Sequence, residues 1–307
     1  MLNIIERNKI LAEKILALKE ERDALILAHN YQAEDVQLIA DYVGDSFGLS
    51  QQAANATQQV IVFCGVHFMA ESAYILAPDK TVLLPDKNAG CPLADTINEI
   101  SLQEAKEKYP EAAVVCYVNS SAAVKAISDV CCTSSNALQV INGIDAPQIL
   151  FVPDKNLAHW VQQHTAKEII PWPGACVTHQ RVNPQHVKKV RELYPAAPIA
   201  VHPECEPEIV AMADFVGSTT AIINFAKNCP EQEVIIGTEM GVITKLQREA
   251  PDKKYYLLSQ GLICPNMKKT NLHNIHAALE SLEPRIIVPE PIRSQAHFAL
   301  EKMLTYK

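Results

Sequence analysis

The stretch Ile39-Ala40-Asp41-Tyr42-Val43-Gly44-Asp45-Ser46 decides the fold, because the chain writes it again as ISDVCCTS (127–134) and MADFVGST (212–219). An apolar, strand-like run precedes each copy, at 24–28, 113–116 and 198–201. A triplet closes each run: His29-Asn30-Tyr31, Tyr117-Val118-Asn119 and His202-Pro203-Glu204. Twelve residues after the first member of each triplet stands an aspartate (Asp41, Asp129, Asp214), and five further on a hydroxyl residue (Ser46, Ser134, Thr219). A second strand follows at 60–64, 148–152 and 233–236, and a third leads to a cysteine: Cys91, Cys176 or Cys264, spaced 85 and 88 residues apart. Self-similarity at fixed offsets calls for repeated structural units.

Each unit reads as strand, helix, strand, helix, strand, and such alternation implies parallel strands joined by crossover helices. The expected fold is therefore α/β: three similar α/β/α sandwich domains with parallel sheets around a pseudo-threefold axis. Their expected bounds are 1–92 together with the C-terminal 280–307, 93–178, and 179–279. Helices are expected at 33–43, 121–129 and 206–215. The tail should add a helix at 272–282, a short strand at 286–289 and a closing helix at 293–305, packed on the first lobe opposite the N-terminal helix. That first helix is expected from Ile5, Leu11, Ile15 and Leu18, which recur at helical intervals.

With 307 residues, 48% of them hydrophobic, the chain can bury a sizeable core. Its formal charge is −8, from 27 basic and 35 acidic residues, and no basic block stands out, which argues against nucleic-acid binding. No apolar run approaches the roughly 20 residues that span a bilayer, and the N-terminus is charged throughout, unlike a signal peptide. The expected location is the cytoplasm, with no membrane partner.

Parallel sheets gather ligands beyond the carboxyl ends of their strands. All three triplets and all three cysteines fall on that edge. Of nine cysteines, Cys64, Cys116, Cys131 and Cys132 sit in apolar stretches and read as small buried hydrophobes. Cys205 and Cys229 are ambiguous, and Cys205 could line the site. Structural zinc usually takes four ligands, commonly as close pairs, and the chain has no C-x-x-C. Three thiols, one per lobe, could instead hold an iron–sulfur cluster with one iron left open as a Lewis acid.

His29, Tyr31, Tyr117, Asn119, His202 and Glu204 would bring proton-transfer groups of different acidity to one space. Ser46, Ser134 and Thr219 could cap helices, or with the helix N-termini hold an anion. His179, three residues after Cys176, could face whatever the cysteine binds. Lys87 and Lys155, in two PDKN segments, read mainly as solvated turn residues, and no partner is evident for His67, His159 or His164.

The segments AHNYQ, GDSFGLS, AGCPLAD, YVNSSAAVKA, CTSSNA, PDKNLA, GACVTH, HPEC, VGSTTAI, GTEMG and CPNMK, in this order, resemble the bacterial quinolinate synthase family between about residues 20 and 270. The resemblance implies a three-domain enzyme whose [4Fe–4S] cluster is held by Cys91, Cys176 and Cys264. It implies condensation of iminoaspartate with dihydroxyacetone phosphate to quinolinate, phosphate and water on the route to NAD. A functional link to the enzyme supplying iminoaspartate goes with it. It makes His29, Ser46, Tyr117, Asn119, Ser134, His202, Glu204 and Thr219 substrate contacts, to which position adds His179. Tyr31 falls on an acid–base position, and Tyr31, Tyr117, His202 and Glu204 form the expected catalytic set. Reductive or radical iron–sulfur enzymes of similar three-lobed build are the alternative class.

Overall fold

The computed structural model of the protein describes residues 4–306, with side chains from Asn8 onward; the side chain of Ile5 and positions 1–3 and 307 lie outside the described residues. The first lobe contains α1 (Ile4–Glu21), β1 (Ala24–His29), α2 (Glu34–Ile39), β2 (Tyr42–Gly44), α3 (Ser46–Ala54), β3 (Val60–Cys64), α4 (His67–Leu76) and β4 (Thr81–Leu83). The second runs α5 (Glu99–Lys108), β5 (Ala113–Tyr117), α6 (Ala122–Ala126), β6 (Val130–Cys132), α7 (Ala137–Gly143), β7 (Gln148–Val152), α8 (Lys155–Gln162) and β8 (Glu168–Pro171). The third runs α9 (Pro184–Leu193), β9 (Ile199–Val201), α10 (Pro207–Ala211), β10 (Phe215–Val216), α11 (Thr219–Asn228), β11 (Glu233–Gly237), α12 (Gly241–Glu249) and β12 (Lys254–Leu257). The tail adds α13 (Leu272–Ser281) and α14 (Ile292–Thr305).

The sheets share one wiring: β2-β1-β3-β4, β6-β5-β7-β8 and β10-β9-β11-β12, all parallel. The repeat thus builds three similar α/β lobes. The central strands are mostly apolar because helices cover both faces of a parallel sheet; every residue of β3 is buried.

Each sheet has four strands where the sequence suggested three. The extra strand lies within the repeated phrase, so the helices expected at 33–43, 121–129 and 206–215 are shorter than that. The repeated aspartate explains the break. Asp41, Asp129 and Asp214 each accept the amide of a residue fifteen positions earlier: Ile26 at 2.8 Å, Val114 at 2.7 Å and Ile199 at 2.7 Å. Their own amides donate back to the carbonyls of those same residues. This two-point clamp lays the chain beside the sheet's first strand, and the following Tyr42-Val43, Val130-Cys131 and Phe215-Val216 suit an extended backbone. Replacing Asp129 with Ala should cost about 1–3 kcal/mol. The check is a lower urea midpoint at unchanged slope; an unmoved midpoint would make the clamp ornamental.

The tail departs from expectation. Instead of lying opposite the N-terminal helix, α13 packs directly against α1, sharing a core with Ile15 through Leu272, Ile275 and Leu279. The segment at 286–289 forms no strand; an isolated antiparallel bridge pairs Arg285 with Leu83. Helix α14 packs on α6 and β6 of the second lobe as well as α4 of the first. It buries Ala296, Leu300 and Met303, and the Met303 carbonyl accepts from Asn136. No described helix is long and apolar enough to cross a membrane.

Candidate active site

A cavity of about 860 Å³, part of it open to solvent, lies where the three lobes meet. It is lined by His29, Tyr31, Ser46, Tyr117, Asn119, Ser134, His179, His202, Glu204 and Thr219, together with Cys91, Cys176 and Cys264. Every residue of the expected catalytic, substrate-contact and cysteine sets therefore reaches one space. The equivalent strands β1, β5 and β9 end at its wall, and the triplets follow.

The histidines of two triplets are set identically. The amide of Tyr31 donates to His29 Nδ1, and that of Glu204 to His202 Nδ1, both at 3.2 Å. Each Nδ1 is thereby an acceptor, which leaves the proton on Nε2. Burial pushes the His29 pKa down to about 4 and that of His202 down to about 3. Both rings are neutral donors near pH 7, and His202 Nε2 lies 3.1 Å from Ser134 Oγ.

Glu204 is the electrostatic centre. Burial opposes its ionisation, but His202, His179 and Tyr117 outweigh it and hold the carboxyl below the usual carboxylate range. Tyr117 Oη donates to Oε1 at 2.8 Å, and His179 Nδ1 lies 2.8 Å from Oε2. Burial first, and the Glu204 charge second, raise the phenols of Tyr31 and Tyr117 well above their ordinary range, so both keep their protons.

A pH dependence of folding follows. A histidine whose folded pKa is depressed is neutral in the folded chain while the unfolded chain takes up a proton, so its stability is lost as pH falls. For His29 and His202 that window runs from about 6.5 to between 4 and 3. The cluster-free protein should lose up to about 2.7 kcal/mol per pH unit within it, two protons' worth. Urea midpoints measured from pH 7 to 4 check this, and a flat curve would contradict it.

The hydroxyls are not the helix caps. Asp45 caps α3 by accepting from Gly48, and Ser218 caps α11 by accepting from Ala221. Ser46 and Thr219 are each one residue further on, and Ser134 lies in the turn before α7, whose cap position is Asn136. All three hydroxyls line the cavity. Asn119 contributes a buried Oδ1 with no protein partner. Among the described residues, no Lys or Arg lines the cavity. The polar donors it offers are hydroxyls and imidazole N–H groups.

The cysteines sit in matching turns. Cys91 sulfur is met by the amides of Leu93 and Ala94, Cys264 by those of Asn266 and Met267, and Cys176 by that of His179. Burial pushes the Cys91 thiol up to about 12 and raises the other two, while these amides favour the thiolate. Two sulfurs on one zinc, at about 2.3 Å each, can be no more than about 4.6 Å apart. Among the described residues, the trio gathered within 4.8 Å is Cys176, His179 and Glu204, not the three cysteines. That trio is already joined by hydrogen bonds: His179 Nδ1 lies 3.2 Å from the Cys176 sulfur as well as against Glu204. Three thiols on one cavity wall that do not all lie within 4.8 Å of one another suit an iron–sulfur group better than a single ion.

Several residues outside the sequence-derived set shape the cavity. Beyond β11, Thr238 Oγ1 lies 2.7 Å from Tyr31 Oη and 3.0 Å from His179 Nε2. Glu239, fully buried, accepts the amide of Cys264 at 3.2 Å and that of Gly241 at 2.7 Å, and pairs with Lys268 at 2.9 Å. Lys268 in turn donates to the Tyr31 carbonyl. At Gly241 a Cβ would fall 2.6 Å from the Asn30 carbonyl and 2.7 Å from Tyr31 Cα, so only glycine allows this close approach of the first and third lobes. Thr238, Glu239 and Gly241 belong to the GTEMG motif and Lys268 to CPNMK.

Other candidates fall away. Cys205 does not line the cavity; it is buried in the third lobe's core with Ile199 and Ile209. Cys64, Cys116, Cys131 and Cys132 are buried. Lys155 pairs with Glu206 on the surface, and neither it nor Lys87 reaches the cavity. His67 lies near Glu71, and His159 and His164 bond within their own helix region.

Three parallel-sheet lobes that pool acid–base groups and thiols in one buried cavity define an enzyme. The sequence model of the family described as NadA: Quinolinate synthetase A protein matches residues 13–305, and the chain belongs to that family. It is 56% identical over 296 residues to the quinolinate synthase of Clostridium kluyveri, covering 96% of this chain and 98% of that protein. The quinolinate synthase of Methanosarcina barkeri is 52% identical over 297 residues, covering 97% and 98%. That of Caldicellulosiruptor bescii is 52% identical over 297 residues, covering 96% and 98%.

Proposed function

We propose that this chain is a quinolinate synthase, condensing iminoaspartate with dihydroxyacetone phosphate to quinolinate, with release of phosphate and water, for NAD synthesis in the cytoplasm. One observation carries the reading: in a member of this family, three thiols, one from each lobe, and an ionised Glu204 wrapped by two imidazoles and a phenol line the same cavity. Cys91, Cys176 and Cys264 would hold a [4Fe–4S] cluster, which when bound supplies a Lewis-acid iron at its open corner.

The chain's own residues do the rest. Both substrates are anionic, and with no cationic side chain on the wall they are held by Ser46, Ser134 and Thr219, by the Nε2–H groups of His29 and His202, and by Asn119. Such fixed donors cost no reorganisation when charge develops. Glu204 takes protons from substrate carbon. Tyr31 and Tyr117, kept protonated by burial, return protons to leaving oxygens. Enclosure between lobes shields an imine that water would hydrolyse. Since iminoaspartate is short-lived, a functional link to the enzyme that makes it belongs to the same proposal.

Anaerobically purified protein, with iron and sulfide counted, should release phosphate and form quinolinate when given both substrates and no reductant. Turnover that begins only on adding an electron donor would favour a reductive or radical enzyme and overturn the reading.

A further inference from the structure

We propose that Thr238 is a positioning residue that holds Tyr31 and His179 in register, joining the first lobe's phenol to the Glu204 network of the third. It rests on the function proposed above for its kinetic reading, though its structural reading stands alone. Thr238 is fully buried and does not line the cavity, so it acts through its two neighbours.

The geometry is that of a hub. Thr238 Oγ1 lies 3.0 Å from His179 Nε2 and 2.7 Å from Tyr31 Oη. On its other side His179 Nδ1 lies 2.8 Å from Glu204 Oε2, and Tyr117 donates to the other carboxylate oxygen. One hydroxyl, which can both donate and accept, thus ties the Tyr31 phenol to the imidazole that faces Glu204. Among the described hydrogen bonds, no other side chain joins Tyr31 to His179. His179 is further held by stacking on His202 at 4.9 Å.

A hydroxyl is required here and its size is not. Thr238→Val keeps the shape but removes the one hydrogen-bond partner shared by the buried Tyr31 phenol and the buried His179 Nε2, freeing both rings to move. Displacements near 1 Å in a reacting group can lower rates about 10²-fold. In steady-state assays Thr238→Val should lose about 10²-fold in kcat with KM within about threefold and iron content unchanged, while Thr238→Ser should recover to within about fivefold of wild type. Comparable activity in Val and wild type, or equal damage in Val and Ser, would overturn the proposal. Crystal structures of cluster-free wild type and Thr238→Val supply a readout that needs no substrate. The Tyr31 Oη and His179 Nε2 positions should shift apart in the valine variant, and unchanged positions would count against the claim. If wild type itself releases no phosphate, the functional reading fails and the crystallographic comparison still decides the role of Thr238.

Discussion

Serine at Cys91, Cys176 or Cys264 is expected to yield folded protein without brown cluster absorbance and with activity lowered by at least about 10³-fold, the scale on which removal of an electrophilic stabiliser acts. Iron–sulfur clusters are held by soft thiolates, and a serine alkoxide at neutral pH is neither soft nor available. The matching turns around the sulfurs strengthen the case. Each places at least one backbone amide where it favours the thiolate of its cysteine, as a thiolate ligand needs. Because burial keeps these thiols protonated without the cluster, loading must release protons and should slow as pH drops. Cys229→Ser is the control: this thiol is half-buried in the third lobe, beside Lys253 and away from the cavity. Full iron and sulfide in any one of the three ligand variants would defeat the assignment.

The triplets, the hydroxyls and the three cysteines were legible in the sequence because a threefold repeat compares each position with two others. A His after one strand means little, but equivalents at Tyr117 and His202 mark a wall position. The same repeat hid the short edge strands. Two- or three-residue strands such as Phe215–Val216 are too brief to show alternation, and their apolar residues extend the pattern of the preceding helix. The clamp aspartates stood out by spacing, but their job is done with backbone amides, which leave no trace in composition. Thr238, Glu239 and Lys268 were illegible for another reason: they follow β11 or the third cysteine, and their counterparts in the other lobes do different work. Pro153-Asp154 takes the corresponding place after β7, where Asp154 caps α8 instead. The tail was misplaced because amphipathic helices specify that they pack, not on which lobe. The edge of α13 carries Leu272, Ile275 and Leu279, which suit any apolar face.

Lobe-to-lobe contacts explain why the site needs all three repeats. Ser135 of the second lobe donates to Asp45 of the first at 2.7 Å, Asn30 of the first to Thr219 of the third at 3.1 Å, and Tyr117 of the second to Glu204 of the third. Each pair is drawn from groups at strand ends, so the bonds that assemble the lobes also orient the cavity wall. An isolated lobe would turn these groups to water and leave the wall unassembled.

Glu204→Gln is expected to lower kcat by about 10²–10⁴-fold, with the cluster retained and substrate binding little changed. The amide is the same size and its oxygen can still accept from Tyr117. It can neither take a proton nor offer His179 a second charged acceptor, and its NH₂ group faces the His179 N–H donor across 2.8 Å. The imidazole must then change tautomer or turn away, so the variant loses the base and disturbs its neighbour together. The pH profile separates this from simple misfolding. Glu204 is held below the ordinary carboxylate range by His202, His179 and Tyr117 against the opposing effect of burial, so it is ionised throughout the neutral region. Any acid limb of kcat/KM between pH 5 and 7 therefore belongs to another group. The Gln variant should show a lowered profile parallel to wild type there, with cluster absorbance unchanged. Activity within tenfold of wild type at neutral pH would remove Glu204 from its role as base, and a shifted acid limb would show that its ionisation is not secured by these three neighbours.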